Sequence, residues 1–122
     1  MHKLLLVEDN HETQLIIKVM FRDIYNDHGV DTSDEALSLL SKEHFDVLLL
    51  DINLNGKGNG KELMVQIREQ EKTKNLPVVV VTAYDLSTEA NEFFSKNSNG
   101  VISKLIDKKN LTTKVENVLG FN

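Results

Sequence analysis

Three carboxylates, a hydroxyl and an ammonium stand at matching places along this 122-residue chain. Glu8 and Asp9 close the apolar run Lys3 to Val7, Asp51 closes the run Phe45 to Leu50, Thr82 follows four consecutive valines, and Lys104 follows Val101-Ile102-Ser103. A carboxylate can itself be the nucleophile that takes up a phosphoryl group as an aspartyl phosphate. Three carboxylates ~4 Å apart repel by roughly 4 kcal/mol per pair at an effective dielectric near 20, so a cluster of Glu8, Asp9 and Asp51 calls for a cation. Oxygen donors without histidine or thiolate favour Mg2+ or a similar hard ion, with coordination positions left for phosphate oxygens. The charge of a transferring phosphoryl group would be met by that metal, by the Lys104 ammonium and by the Thr82 hydroxyl.

Positioning such groups requires elements that end together. The run ending on Asp51 is short and continuously apolar, as in a parallel strand buried on both faces, and Val78 to Val81 after Pro77 reads the same way. Strands are predicted at Lys3–Val7, His28–Asp31, Phe45–Asp51, Val78–Val81 and Val101–Ser103. Helices alternate with them. Asn10 caps the first, whose Leu15, Ile16, Val19, Met20 and Ile24 recur at helical spacing and are predicted to form its buried face. Thr32 with Glu35 has capping-box spacing before Ala36, Leu37 and Leu40. Asn59 caps a third helix that buries Leu63, Met64 and Ile67. A fourth starts near Ser87 and buries Ala90, Phe93 and Phe94. The last starts near Asn110, carries Leu111, Val115, Val118 and Leu119, and stops at Gly120. Regular alternation of strand and helix implies right-handed crossovers and a doubly wound five-stranded parallel sheet with five helices on both faces. Ligands of such sheets bind at the carboxyl ends of the strands, where the polar residues above collect.

Composition narrows the function further. The length fits a single domain over residues 1–122, and no apolar run approaches the ~20 residues that cross a bilayer. The N-terminal apolar run is too short for a secretory signal and meets acid at once. With no cysteine there is no disulfide framework, which accords with a cytoplasmic location, and a net charge of −5 argues against nonspecific nucleic-acid binding. His2, His11, His28 and His44 show no metal-ligand spacing and are expected to be solvated.

Together, Val7-Glu8-Asp9-Asn10, Leu50-Asp51-Ile52-Asn53-Leu54, Val81-Thr82-Ala83 and Ser103-Lys104 resemble the receiver domains of two-component response regulators, over the whole chain. The resemblance implies the flavodoxin-like strand order 2-1-3-4-5. It makes Asp51 the phospho-acceptor, Glu8 and Asp9 the acidic pair for Mg2+, and the backbone carbonyl of Asn53 a further metal ligand. Thr82 would be the switch hydroxyl and Lys104 the base that contacts the phosphate. The implied partners are a sensor histidine kinase or histidine phosphotransfer protein and a downstream protein, with no direct contact to nucleic acid or membrane. Such a chain is no turnover enzyme, although it assists its own phosphorylation and dephosphorylation.

The pattern has three departures. Leu105 follows Lys104 where the family has proline in a cis peptide; a cis bond before a non-proline residue costs ~2.5–4 kcal/mol, which favours a trans path here. Val101 occupies the place of an aromatic switch residue. The loop after Asp51 has Asn55 in place of proline, and its glycine, Gly60, comes one residue late. These departures support an alternative in which the fold is kept for protein contact without phosphorylation. A flavodoxin-like cofactor binder fits less well, since the first loop is acidic where phosphate would need glycine or serine. No DNA-binding or catalytic output domain is expected after the last helix of this sequence, so both a stand-alone regulator and a receiver cut from a hybrid kinase or longer regulator are expected sources. Tyr84 is as consistent with plain surface as with a gate over the site.

Overall fold

A computed structural model of the chain describes residues 2–51, 60–82, 88–103 and 108–120. The most apolar runs become inner strands: β1 spans Lys3–Val7, β3 spans Val47–Asp51 and β4 spans Val78–Thr82, while β2 (Asn26–Val30) and β5 (Gly100–Ser103) lie at the edges. All neighbours pair in parallel, in the order β2-β1-β3-β4-β5. Helices α1 (His11–Phe21), α2 (Ser33–Lys42), α3 (Gly60–Glu69), α4 (Thr88–Asn97) and α5 (Lys108–Leu119) make the crossovers. The predicted doubly wound sheet and its strand order are therefore present.

Alternation along the strands divides the core into two layers. Leu5, Val7, Leu48, Leu50, Val78 and Val80 face α2, α3 and α4 through Ala36, Leu40, Leu63, Met64, Ile67 and Phe94. Leu4, Leu6, Val47, Leu49 and Val79 face α1 and α5 through Ile17, Phe21, Leu111 and Val115. Burying a side chain of this size contributes about 1.5–3 kcal/mol, so the two layers pin the register of the inner strands and the places where they end. Phe94 is core and Phe93 its margin, joined edge to face with centroids 5.1 Å apart. Val101 pairs with Val80 and packs half-buried on the first layer.

Local signals behave largely as read. The Asn10 and Thr32 side chains accept from the backbone N–H groups of Thr13 and Glu35. Gly120 sits at φ +86°, the left-handed conformation that ends a helix at low steric cost for glycine. Strand β2 starts at Asn26, two residues before the predicted His28, because the Asn26 N–H donates to His2 O at 2.9 Å and Lys3 pairs with Asn26; Asp31 lies beyond its end. Its polar sequence is tolerated because an edge strand buries little.

The predicted face of α1 is wrong. Leu15, Ile16 and Val19 are 62%, 49% and 53% exposed, whereas Ile17 and Phe21 are buried; Met20 and Ile24 only flank the core. The residues turned to the sheet are Gln14, Ile17 and Phe21, a stripe at i, i+3 and i+7 with a polar first member. The cluster of apolar residues on the other side outweighs that stripe in the sequence pattern. Asn53, Asn55, Asn59, Tyr84, Lys104 and Leu105, with the expectations attached to them, lie outside the described residues.

Candidate functional site

The pairing of Val7 with Leu50 brings Glu8 and Asp51 level at the carboxyl edge of the two central strands. Glu8 is 1% exposed and Asp51 2%, while Asp9 is half-buried and faces more water. One carboxylate oxygen from each of Glu8, Asp9 and Asp51 lies within 4.8 Å of the others. The structure thus gathers the three acids that the sequence singled out. Thr82 ends β4 and pairs with Ser103 of β5, next to which Lys104 follows in sequence; the Thr82 side chain lies outside the described residues, as does all of Lys104 and Asn53.

At separations near 5 Å and an effective dielectric near 20, each pair of ionised carboxylates repels by roughly 3 kcal/mol. The N-terminus of α1, directly after Asp9, offsets only ~0.3–1 kcal/mol of this per charge through its dipole. A divalent cation balances such a cluster far more than the helix dipole does. Mg2+ holds its oxygens at 2.0–2.1 Å, which puts two ligands of one ion about 3–4 Å apart. The three acids lie close to that spacing, and Asp9 is partly open to water. The donor set fits a hard divalent ion.

The loop that carries Glu8 and Asp9 is held from several sides. The Glu8 N–H donates to Val30 O at 3.0 Å, and the Asn10 N–H donates to Glu8 Oε2 at 3.3 Å. Gln14 Nε2 donates to Glu8 O at 2.9 Å and lies 3.3 Å from Asp31 Oδ1 and 3.4 Å from Val30 O. Beside it, His11 Nε2 and Asp31 Oδ2 are 2.6 Å apart. That hydrogen bond raises the pKa of His11 above its ordinary value and lowers that of Asp31.

The sequence reading missed Gln14, Asp31 and His11 around the site. A signal for Gln14 exists: it continues the Ile17–Phe21 stripe by one helical step, so a half-buried amide was legible once the correct face of α1 was chosen. His11 and His44 are exposed as expected, His2 and His28 half-buried, and all four have neighbours. His11 meets Asp31, His2 and His44 both meet Asp46, and His28 packs edge to face on Phe45 with centroids 5.6 Å apart.

Residues 4–116 match the family described as the response regulator receiver domain. Over 118 residues the chain is 32% identical to the chemotaxis protein CheY of Pseudomonas aeruginosa, covering 95% of this chain and 94% of that protein. Over 121 residues it is 29% identical to the polar-differentiation response regulator DivK of Brucella ovis, with 95% and 94% covered. Among solved structures, the receiver domain of a sensor histidine kinase from Pseudomonas aeruginosa superposes with a TM-score of 0.88 at 25% identity over 98% of both chains. That crystal structure carries a magnesium ion coordinated in its active-site cleft.

Proposed function

This chain belongs to the response regulator receiver family, and we propose from that premise that it accepts a phosphoryl group on Asp51 from a phosphohistidine donor in an Mg2+-dependent reaction. The observation that carries the reading is the gathering of Glu8, Asp9 and Asp51 at the end of the central strands. An Asp51 oxygen attacks phosphorus, the P–N bond to the donor imidazole breaks as the O–P bond forms, and the released imidazole nitrogen takes up a proton from solvent. Bound Mg2+, held by Glu8, Asp9, Asp51 and the Asn53 carbonyl, supplies neutralising charge for the phosphoryl oxygens. Burial of Asp51 restricts water around the acyl phosphate. Lys104 supplies a second positive contact to the phosphoryl group and Thr82 a hydroxyl donor, so that phosphorylation pulls on the ends of β4 and β5.

The donor is a sensor histidine kinase or a histidine phosphotransfer protein, and the signal leaves by a conformational change read by a downstream protein. The exposed apolar face of α1 supports the donor's approach along this helix, since α1 begins at His11, two residues after Asp9. The protein works as an acceptor and carrier of the signal in the cytoplasm, as a single receiver unit.

Intact-mass measurement after incubation with a small-molecule phosphodonor and Mg2+ tests this. The wild type gains one phosphoryl group, Asp51→Asn gains none while remaining folded, and Asp9→Asn is labelled more weakly with a weakened Mg2+ titration. Full labelling of Asp51→Asn would move the acceptor elsewhere, and no labelling of the wild type under any metal condition would favour signalling by contact alone.

A further inference from the structure

Glu8 and Asp9 hang from the two sides of one peptide group, whose carbonyl oxygen is Glu8 O and whose N–H belongs to Asp9. Peptide planarity keeps both Cα atoms in the plane of this carbonyl, so fixing the carbonyl restricts the points from which the two side chains leave the backbone. The Glu8 carbonyl accepts from Gln14 Nε2 at 2.9 Å, the shortest of that amide's three hydrogen bonds among the described residues. All three oxygens around Nε2 are acceptors, which identifies that atom as the nitrogen of the Gln14 amide.

Gln14 reaches this place because β2 leaves room for it. A Cβ at Gly29 would stand 2.8 Å from Gln14 Cδ and 2.9 Å from Gln14 Oε1, closer than real Cβ atoms come, and 2.7 Å from Lys18 Cε. Lys18 can yield because the far end of its side chain is flexible. The Gln14 amide is held at the junction of β1, β2 and α1 and has less freedom to move. Gly29 is thus the clearance in the edge strand that seats the amide under the acidic loop.

We infer that Gln14 is a positioning residue for the metal site: its amide sets the plane of the Glu8–Asp9 peptide, and Gly29 makes that seat available. The inference rests on the proposed reading of the acids as Mg2+ ligands. Groups that orient metal ligands without touching the metal typically change affinity 10–100-fold when removed. Gln14 acts on the backbone of its ligands, so the low end of that range, about 10-fold, is the expected effect.

Mg2+ titrations of the full chain, followed by calorimetry at a temperature where every variant is folded by circular dichroism, test it. Gln14→Met keeps the length of the side chain and removes the donor; it should weaken Mg2+ binding about 10-fold. Gly29→Ala should do the same in the wild-type background and add little in Gln14→Ala, where only the flexible end of Lys18 stays near the new Cβ. Ile17→Val, on the same buried stripe of α1, should lower thermal stability and leave Mg2+ affinity unchanged. Gln14→Met with wild-type affinity, or Ile17→Val with an equal loss, would overturn the positioning role while leaving the reading of the acids intact. A wild type that takes up no Mg2+ would overturn that reading and this inference with it.

Discussion

The two edges of the sheet handle charge in opposite ways. At the amino edge Lys3, Asp46 and Arg68 are set among groups that suit them. The Asp46 carboxylate accepts the Lys3 backbone N–H at 2.8 Å, Asp46 N–H donates back to Lys3 O, and His2 and His44 approach the two Asp46 oxygens at 3.4 and 3.3 Å. Lys3 Nζ reaches Glu43 at 2.6 Å and lies over the Phe45 ring. Arg68 donates to the carbonyls of Asn97, Leu76 and Lys74 and to the Asn99 side chain. At the carboxyl edge, three acids converge within 4.8 Å and two of them are buried. One edge ties strand starts and loops together; the other brings three acids to one place, an arrangement that favours a cation. The two arrangements stand a strand's length apart.

Arg68→Ala breaks the amino edge most severely. Hydrogen bonds from a charged donor contribute ~1.5–3 kcal/mol each when well buried, and burial here already lowers the Arg68 pKa. Because the site is half open to water, we expect a loss of about 2–4 kcal/mol in chemical denaturation for the four contacts together. Mg2+ affinity of the folded variant, read by calorimetry, should stay at the wild-type value. A change there would couple the two edges and weaken the contrast.

Asp46→Asn is a gentler probe of the same edge. Asparagine can still accept from the Lys3 N–H but loses the charge that favours His2 and His44, so a loss of about 1 kcal/mol is expected. Its pH dependence carries a sign. Burial alone would raise the Asp46 pKa, but the hydrogen bonds from Lys3 and His44 outweigh it and hold the carboxyl below its ordinary 3.8. A depressed folded pKa gives stability that is present above 3.8 and lost as pH falls through the lower folded value. Lys3 likewise holds Glu43 below its ordinary 4.5. Acid unfolding curves of the wild type and Asp46→Asn should therefore converge below pH 3.8.

The carboxyl edge was the more legible of the two in the sequence. Its acids follow uninterrupted apolar runs, and burial on both faces of β1 and β3 leaves those runs one register, so strand ends could be placed and their polar residues compared. The amino edge depends on partners far apart in sequence, such as Lys3 with Asp46, which no local period reveals. The face of α1 was misread for a different reason. Three large apolar residues are left in water while a glutamine is turned inward, so a pattern that assumes apolar residues are inside picks the wrong side.

The central claim is that Glu8, Asp9 and Asp51 hold like charge in readiness for a cation, and denaturant unfolding of the wild type and Asp51→Asn, with and without saturating Mg2+, tests it most directly. In metal-free buffer Asp51→Asn should be the more stable protein by about 1–3 kcal/mol, because one of three repelling charges is gone. Added Mg2+ should stabilise the wild type by mass action, about 2.7 kcal/mol at 100 times its dissociation constant, and erase or reverse that gap. Loss of stability in metal-free Asp51→Asn, in the same direction as in Asp46→Asn, would contradict the account.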